Sequence, residues 1–111
     1  MILHIAQRAE WEAARSAGGY QADTLASEGF IHCSTLAQVL GPANAFYRGR
    51  TDLVLLVIEP AQLTAQLVYE DSHGNGEYFP HLYGPLNIDA VTRVVPFPPG
   101  PDGHFALPAG V

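Results

Sequence analysis

At 111 residues the chain has the length of one domain and no room for a second. Hydrophobic residues make up 48% and charged residues 14%, enough apolar mass to bury a core and too little polarity for a disordered tail. The net charge of -6, with five arginines and no lysine, argues against nucleic-acid binding and removes both a Schiff-base amine and a phosphate-loop lysine.

Taken in chain order, Ile2 to Ala6 reads as a strand, with Leu3 and Ile5 on one face and His4 on the other with Ile2 and Ala6. Gln7 to Ala17 follows at helical spacing, its stripe being Trp11, Ala14 and Ala17, and Gly18-Gly19 ends it. Tyr20 to Glu28 is a loop or short helical turn, and Gly29 a tight bend. Phe30 to Ser34 is the next strand, with Phe30, His32 and Ser34 on one face and Ile31 and Cys33 on the other. Thr35 and Gln38 fit a capping box for a helix through Tyr47, which Gly41-Pro42 should kink or divide.

Leu53 to Ile58 is an unbroken apolar run, as in a strand covered on both faces, and Pro60 stops it. Leu67 to Glu70 is a short strand, and residues 71–77 are turn chemistry, a hairpin tip or a mobile loop. The two prolines in Tyr78 to Leu86 predict an irregular or edge segment there. Ala90 to Pro96 is the last strand. Phe97 to Gly103 closes a domain over 1–103, and the tail 104–111 either adds an edge strand or frays. Helices early and strands late predict an α+β fold. The longest apolar run is far too short to span a bilayer, and the first residues lack the pattern of a signal peptide. The expectation is a soluble cytoplasmic protein with no membrane partner and an unassigned oligomeric state.

Three histidines carry the chemistry to be weighed. His4 and His32 each lie mid-strand and are expected on neighbouring strands facing one cleft, with Ser34 beside His32. His81 and Tyr83 alternate to one side of the proline-bearing block, expected at the rim of that cleft, while Phe79, Leu82 and Leu86 anchor the block to the core. The plainer reading makes these histidines surface groups or hydrogen-bonded core groups. Metal binding is disfavoured, because no paired His or Cys spacing exists. Cys33 reads as a buried small hydrophobe with no base on its face. Arg48 and Arg50 invite either a phosphate or ordinary helix-end capping, and capping is the simpler reading.

The blocks Glu28-Gly29-Phe30-Ile31-His32-Cys33-Ser34 and Phe79-Pro80-His81-Leu82-Tyr83-Gly84-Pro85-Leu86 add a second line of reasoning. With Leu3-His4-Ile5, Trp11 and Asp52 to Leu56, they make the chain resemble the bacterial family known as domain of unknown function 952, from about Ile2 to Val95. That resemblance implies a fold similar to the ADP-ribosyltransferases, an α+β unit with two small sheets around a cleft. Its motif order looks like that of the RNA 2'-phosphotransferases. By it, His4 matches the histidine that holds ribose hydroxyls, and His32 with Ser34 the one beside the nicotinamide ribose. Glu70 and Glu77 are candidates by location for the transferase acid, with His81 or Tyr83 as alternatives.

The implied function is binding of NAD or another ADP-ribosyl compound and action at its ribose. His4, His32 and His81 would be catalytic and Ser34, Tyr83 and Glu70 substrate-binding. NAD would then be a substrate, and no cofactor is firmly implied. The rivals are a non-catalytic nucleotide-sensing or scaffold domain, and a metal-dependent hydrolase built on His4, His32 and His81.

Overall fold

Alternation along one strand organises the fold. In a computed structural model that describes residues 1–111, β4 (Leu53–Ile58) is buried at every position. Its even residues Val54, Leu56 and Ile58 enter one core, and Leu53, Leu55 and Val57 enter a second on the opposite face. The strand β1 (Ile2–Gln7) pairs antiparallel along one side of it, and β8 (Val91–Pro96) along the other. A strand so covered has no polar face, as its unbroken apolar run requires. Both faces of β1 are covered too, and His4 shares its face with the core residues Ile2 and Ala6, as the alternation predicts.

The first core is closed by α1 (Arg8–Ala17) and by a second three-stranded antiparallel sheet. Trp11 and Ala14 supply the buried stripe of α1, Ala17 remains exposed, and Gly18 ends the helix at φ 84°. A two-residue ribbon, β2 (Gly19–Tyr20) with β7 (Leu86–Asn87), makes a third small sheet where two were expected. The short helix α2 (Asp23–Glu28) then ends at Gly29, φ 87°, so the bend expected there has its left-handed residue.

The second sheet has the order β3 (Ile31–His32), β6 (Phe79–Tyr83), β5 (Gln66–Glu70). The block expected to be irregular or an edge is thus its central strand. Pro80 is tolerated because its missing N–H falls on the side of the shortest neighbour. Its carbonyl accepts from the Cys33 N–H at 3.0 Å, but it has no N–H to return, and regular pairing with β3 ends at His32. Leu82 and Leu86 are fully buried, as expected, whereas Phe79 follows the parity of His81 and faces away from that core. The segment 71–77 is the hairpin tip joining β5 to β6. Asp71 accepts from the Asn75 and Gly76 N–H groups at 3.1 and 2.7 Å, which holds its carboxyl below the usual range.

The second core is capped by α3 (Leu40–Phe46) and by the tail. The capping box exists only in part. Gln38 accepts from the Thr35 N–H at 3.1 Å, turns fill 36–39, and the helix starts at Leu40. Pro42 therefore lies in its first turn, where a proline costs no hydrogen bond, and no kink is needed. The tail neither frays nor adds a strand. Phe105 stacks on Phe97 at 4.7 Å, and its backbone is clamped by both ends of the Asn44 amide.

Candidate functional site

The two three-stranded sheets meet where Leu3 and Ser34 exchange backbone hydrogen bonds of 2.7 and 2.8 Å. This bridge sets β1 beside the segment after β3 and brings His4, His32, Ser34 and His81 onto one cleft of about 610 Å³. Its wall carries the aromatic side chains of Tyr20, Phe30, Phe46, Tyr47 and Phe79. Phe46, at the end of α3, is 77% exposed at this cleft. Of the strongly charged side chains on the wall, Glu10, Asp23 and Glu28 are acidic and only Arg50 is basic. Arg50 forks onto Asp52 at 3.1 and 2.6 Å and lies 5.8 Å from the Tyr47 ring centre, an arrangement that is neither of the two sequence readings for it.

His4 is buried with both ring nitrogens engaged. Its Nδ1 donates to the His32 carbonyl, which can only accept, so Nε2 must be the accepting nitrogen. The Tyr20 hydroxyl donates to that Nε2 at 3.0 Å, and the two rings meet edge to face at 5.3 Å. Burial pushes the His4 pKa down to about 4, against the contrary pull of the His32 carbonyl. Burial likewise raises the Tyr20 hydroxyl well above the ordinary tyrosine range, with Glu10 next in importance. His4 is a neutral cross-brace between β1, β2 and β3, which is the hydrogen-bonded core histidine of the plainer sequence reading.

His32 is on the same cleft but exposed, its Nε2 3.2 Å from Glu28 at the end of α2. Ser34 is 6% exposed, held by the bridge to Leu3. His81 is not at a rim: it is 2% exposed, lying under Phe30 with ring centres 4.1 Å apart and planes 17° apart. Its register partners are His32 on one side and Val68 on the other. Its Nδ1 is 2.9 Å from Glu70 Oε1, the same oxygen that accepts from the Tyr83 hydroxyl. Those two bonds, Tyr83 first, hold the Glu70 carboxyl below the usual carboxylate range. The carboxylate accepts, so Nδ1 carries the hydrogen and Nε2 is the ring's free nitrogen.

Glu70 and Tyr83, named as substrate-binding groups, stand behind His81 and not on the cleft wall. Glu77 is in the exposed hairpin tip and also off that wall, although its neighbours Ser72 and His73 are on it. No three His, Cys, Asp or Glu side chains are grouped so as to hold a metal ion. The stack of Phe30 on His81 and the aromatic lip were missed in the sequence. The parity of Phe30 with His32 was the one visible signal for the first; for the second there was none.

A family described as a protein of unknown function, DUF952, matches residues 5–94. No functionally curated protein matches the chain. The crystal structure of protein CC0527 from Caulobacter crescentus is 39% identical, with a TM-score of 0.87 over 96% of this chain and 93% of that one. The crystal structure of a double mutant of CC0527 gives 38% identity and a TM-score of 0.86 over the same shares. Its solution NMR structure gives 38% and 0.77, over 93% of this chain and 89% of that one. With a match over most of its length and this likeness in structure, the chain belongs to the DUF952 family.

Proposed function

We propose that the cleft binds a nucleoside-type small molecule of the ADP-ribosyl class, NAD among them, and that the protein acts at its ribose. The observation that carries this reading is His81, almost fully buried on the cleft wall with one ring nitrogen lacking any partner. That nitrogen is not among the buried unsatisfied side-chain atoms, so it keeps access to solvent while the rest of the ring is covered, and a ligand donor in the cleft would find an oriented acceptor there. A cleft of about 610 Å³ is within the usual range for small-molecule sites. Its aromatic rings offer stacking faces for a base or a nicotinamide ring, and His32 and Ser34 offer partners for ribose hydroxyls. Three acids against one arginine favour the sugar and nicotinamide end inside and the phosphates outside, near Arg50. The likeness to ADP-ribosyltransferases inferred from the motif order supports the same class of ligand.

The test is an NMR titration with ADP-ribose and with NAD. The expected result is saturable shifts at Phe30, His32 and His81. Shifts absent at millimolar ligand, or confined to the open groove of Gly18, Thr64 and Gly84, would contradict it.

A second reading, a nucleotide-sensing domain without catalysis, draws on His4. Both its nitrogens are already taken, and it cannot serve the sugar without breaking a brace. Nicotinamide release from NAD separates the two readings. The same occupied nitrogens leave nothing in favour of a hydrolase that uses His4 as a metal ligand.

A further inference from the structure

The geometry points to Glu70 and His81 as an acid–base dyad, in which Glu70 positions His81 and His81 Nε2 takes the proton from an attacking hydroxyl. This rests on the ligand reading above and adds a reaction to it.

Three features distinguish this pair from an ordinary surface contact between histidine and carboxylate. The imidazole side chain is 3% exposed and its carboxylate partner 38%, so the ring is sequestered while its counter-charge stays partly open to solvent. The partner bonds one nitrogen only, which fixes the tautomer and leaves a lone pair on the other, as a general base requires. The ring is also locked in its plane. Phe30 covers it face to face at 4.1 Å, and His32 abuts it at 5.3 Å with the planes 77° apart. The hydroxyl of Tyr83 completes the holder by fixing Glu70 Oε1, and the register of β5 on β6 sets all three groups on one face. His32–Glu28, the other histidine–carboxylate pair on the cleft wall, also engages one nitrogen and abuts Phe30 and His81, but both its side chains are about half exposed, so its ring is not sequestered.

The step balances without any further reagent. Nε2 accepts the proton of a water or alcohol hydroxyl as its oxygen bonds to the ribose C1' of NAD. The C1'–N bond breaks, and its electron pair leaves with nicotinamide, which departs neutral. His81 becomes an imidazolium whose charge faces the Glu70 carboxylate, and it then returns the proton to solvent. Water as the attacking group makes ADP-ribose, nicotinamide and a proton.

The experiment follows nicotinamide release from NAD by wild type, Glu70→Gln, Tyr83→Phe and His81→Gln, each checked for an unchanged fold by its melting transition. The dyad predicts release by the wild type and a loss of about a hundredfold or more in His81→Gln. Glu70→Gln should lower kcat about tenfold or more with KM unchanged, and Tyr83→Phe should lower it less. The acid limb of the kcat profile should move to lower pH in Glu70→Gln and stay in place in Tyr83→Phe, because only the first removes the counter-charge. Full activity of Glu70→Gln, or an unmoved acid limb, would overturn the dyad. So would a wild type that releases no nicotinamide. In that case ADP-ribose shifts at His81 would leave the binding reading standing, and their absence would remove both.

Discussion

His4 and His81 are buried to nearly the same degree on one cleft, yet they are opposites. The first is on the sheet of β1, β4 and β8 with a carbonyl on one nitrogen and a hydroxyl on the other. The second is on the sheet of β3, β6 and β5 with a carboxylate on one nitrogen and nothing on the other. Burial alone does not tell the two rings apart; the number of occupied nitrogens does. A ring satisfied at both ends contributes to folding and has nothing left for a ligand. A ring satisfied at one end is oriented and still able to react.

The largest effect that sharpens this contrast is on stability. His4→Ala should destabilise by about 3 kcal/mol, because the Tyr20 hydroxyl and the His32 carbonyl both lose their partner in a dry site. Urea unfolding measures this, and a loss under about 1 kcal/mol would make the brace incidental. A related effect appears on acidification. The unfolded chain takes up a proton at His4 near 6.5, whereas the folded chain resists until about 4, so the unfolded state binds more protons between those values. Stability is therefore complete above 6.5 and falls as pH drops toward 4, by about 3 kcal/mol at most. Unfolding midpoints across that window should show this slope in the wild type and lack it in His4→Ala.

His81→Ala comes next. The side chain is buried under Phe30 and is not at a rim, so its removal leaves a void and an expected loss of about 2 kcal/mol as well as the ADP-ribose shifts. A variant that loses stability and still binds ADP-ribose normally would take His81 out of the site. The smallest effect concerns Cys33, 3% exposed, with its thiol pushed up to about 12 by burial. Labelling of the native protein should be slow and should speed up only on unfolding.

Much of the fold was legible because alternation has a local cause. The run Leu53–Ile58, the inward pair Ile31 and Cys33, and the glycine stops at Gly18 and Gly29 all follow from rules that act within a few residues. The central place of β6 did not, since the side on which Pro80 lacks its N–H depends on a strand almost fifty residues away. The site divides in the same way. Parity put His32, Ser34 and His81 on usable faces, and the Leu3–Ser34 bridge brings the first two to His4. The Tyr20 hydroxyl that saturates His4, and the placement of Glu70 behind His81, depend on tertiary packing that no spacing encodes.

The contrast between the two rings is most directly tested by side-chain nitrogen NMR of the histidines during an ADP-ribose titration at pH 7. The account predicts that His4 keeps its hydrogen on Nδ1 and does not respond, while the Nε2 signal of His81 shifts as the site fills. A response at His4 with His81 silent, or a His4 ring that titrates near 6.5, would contradict it.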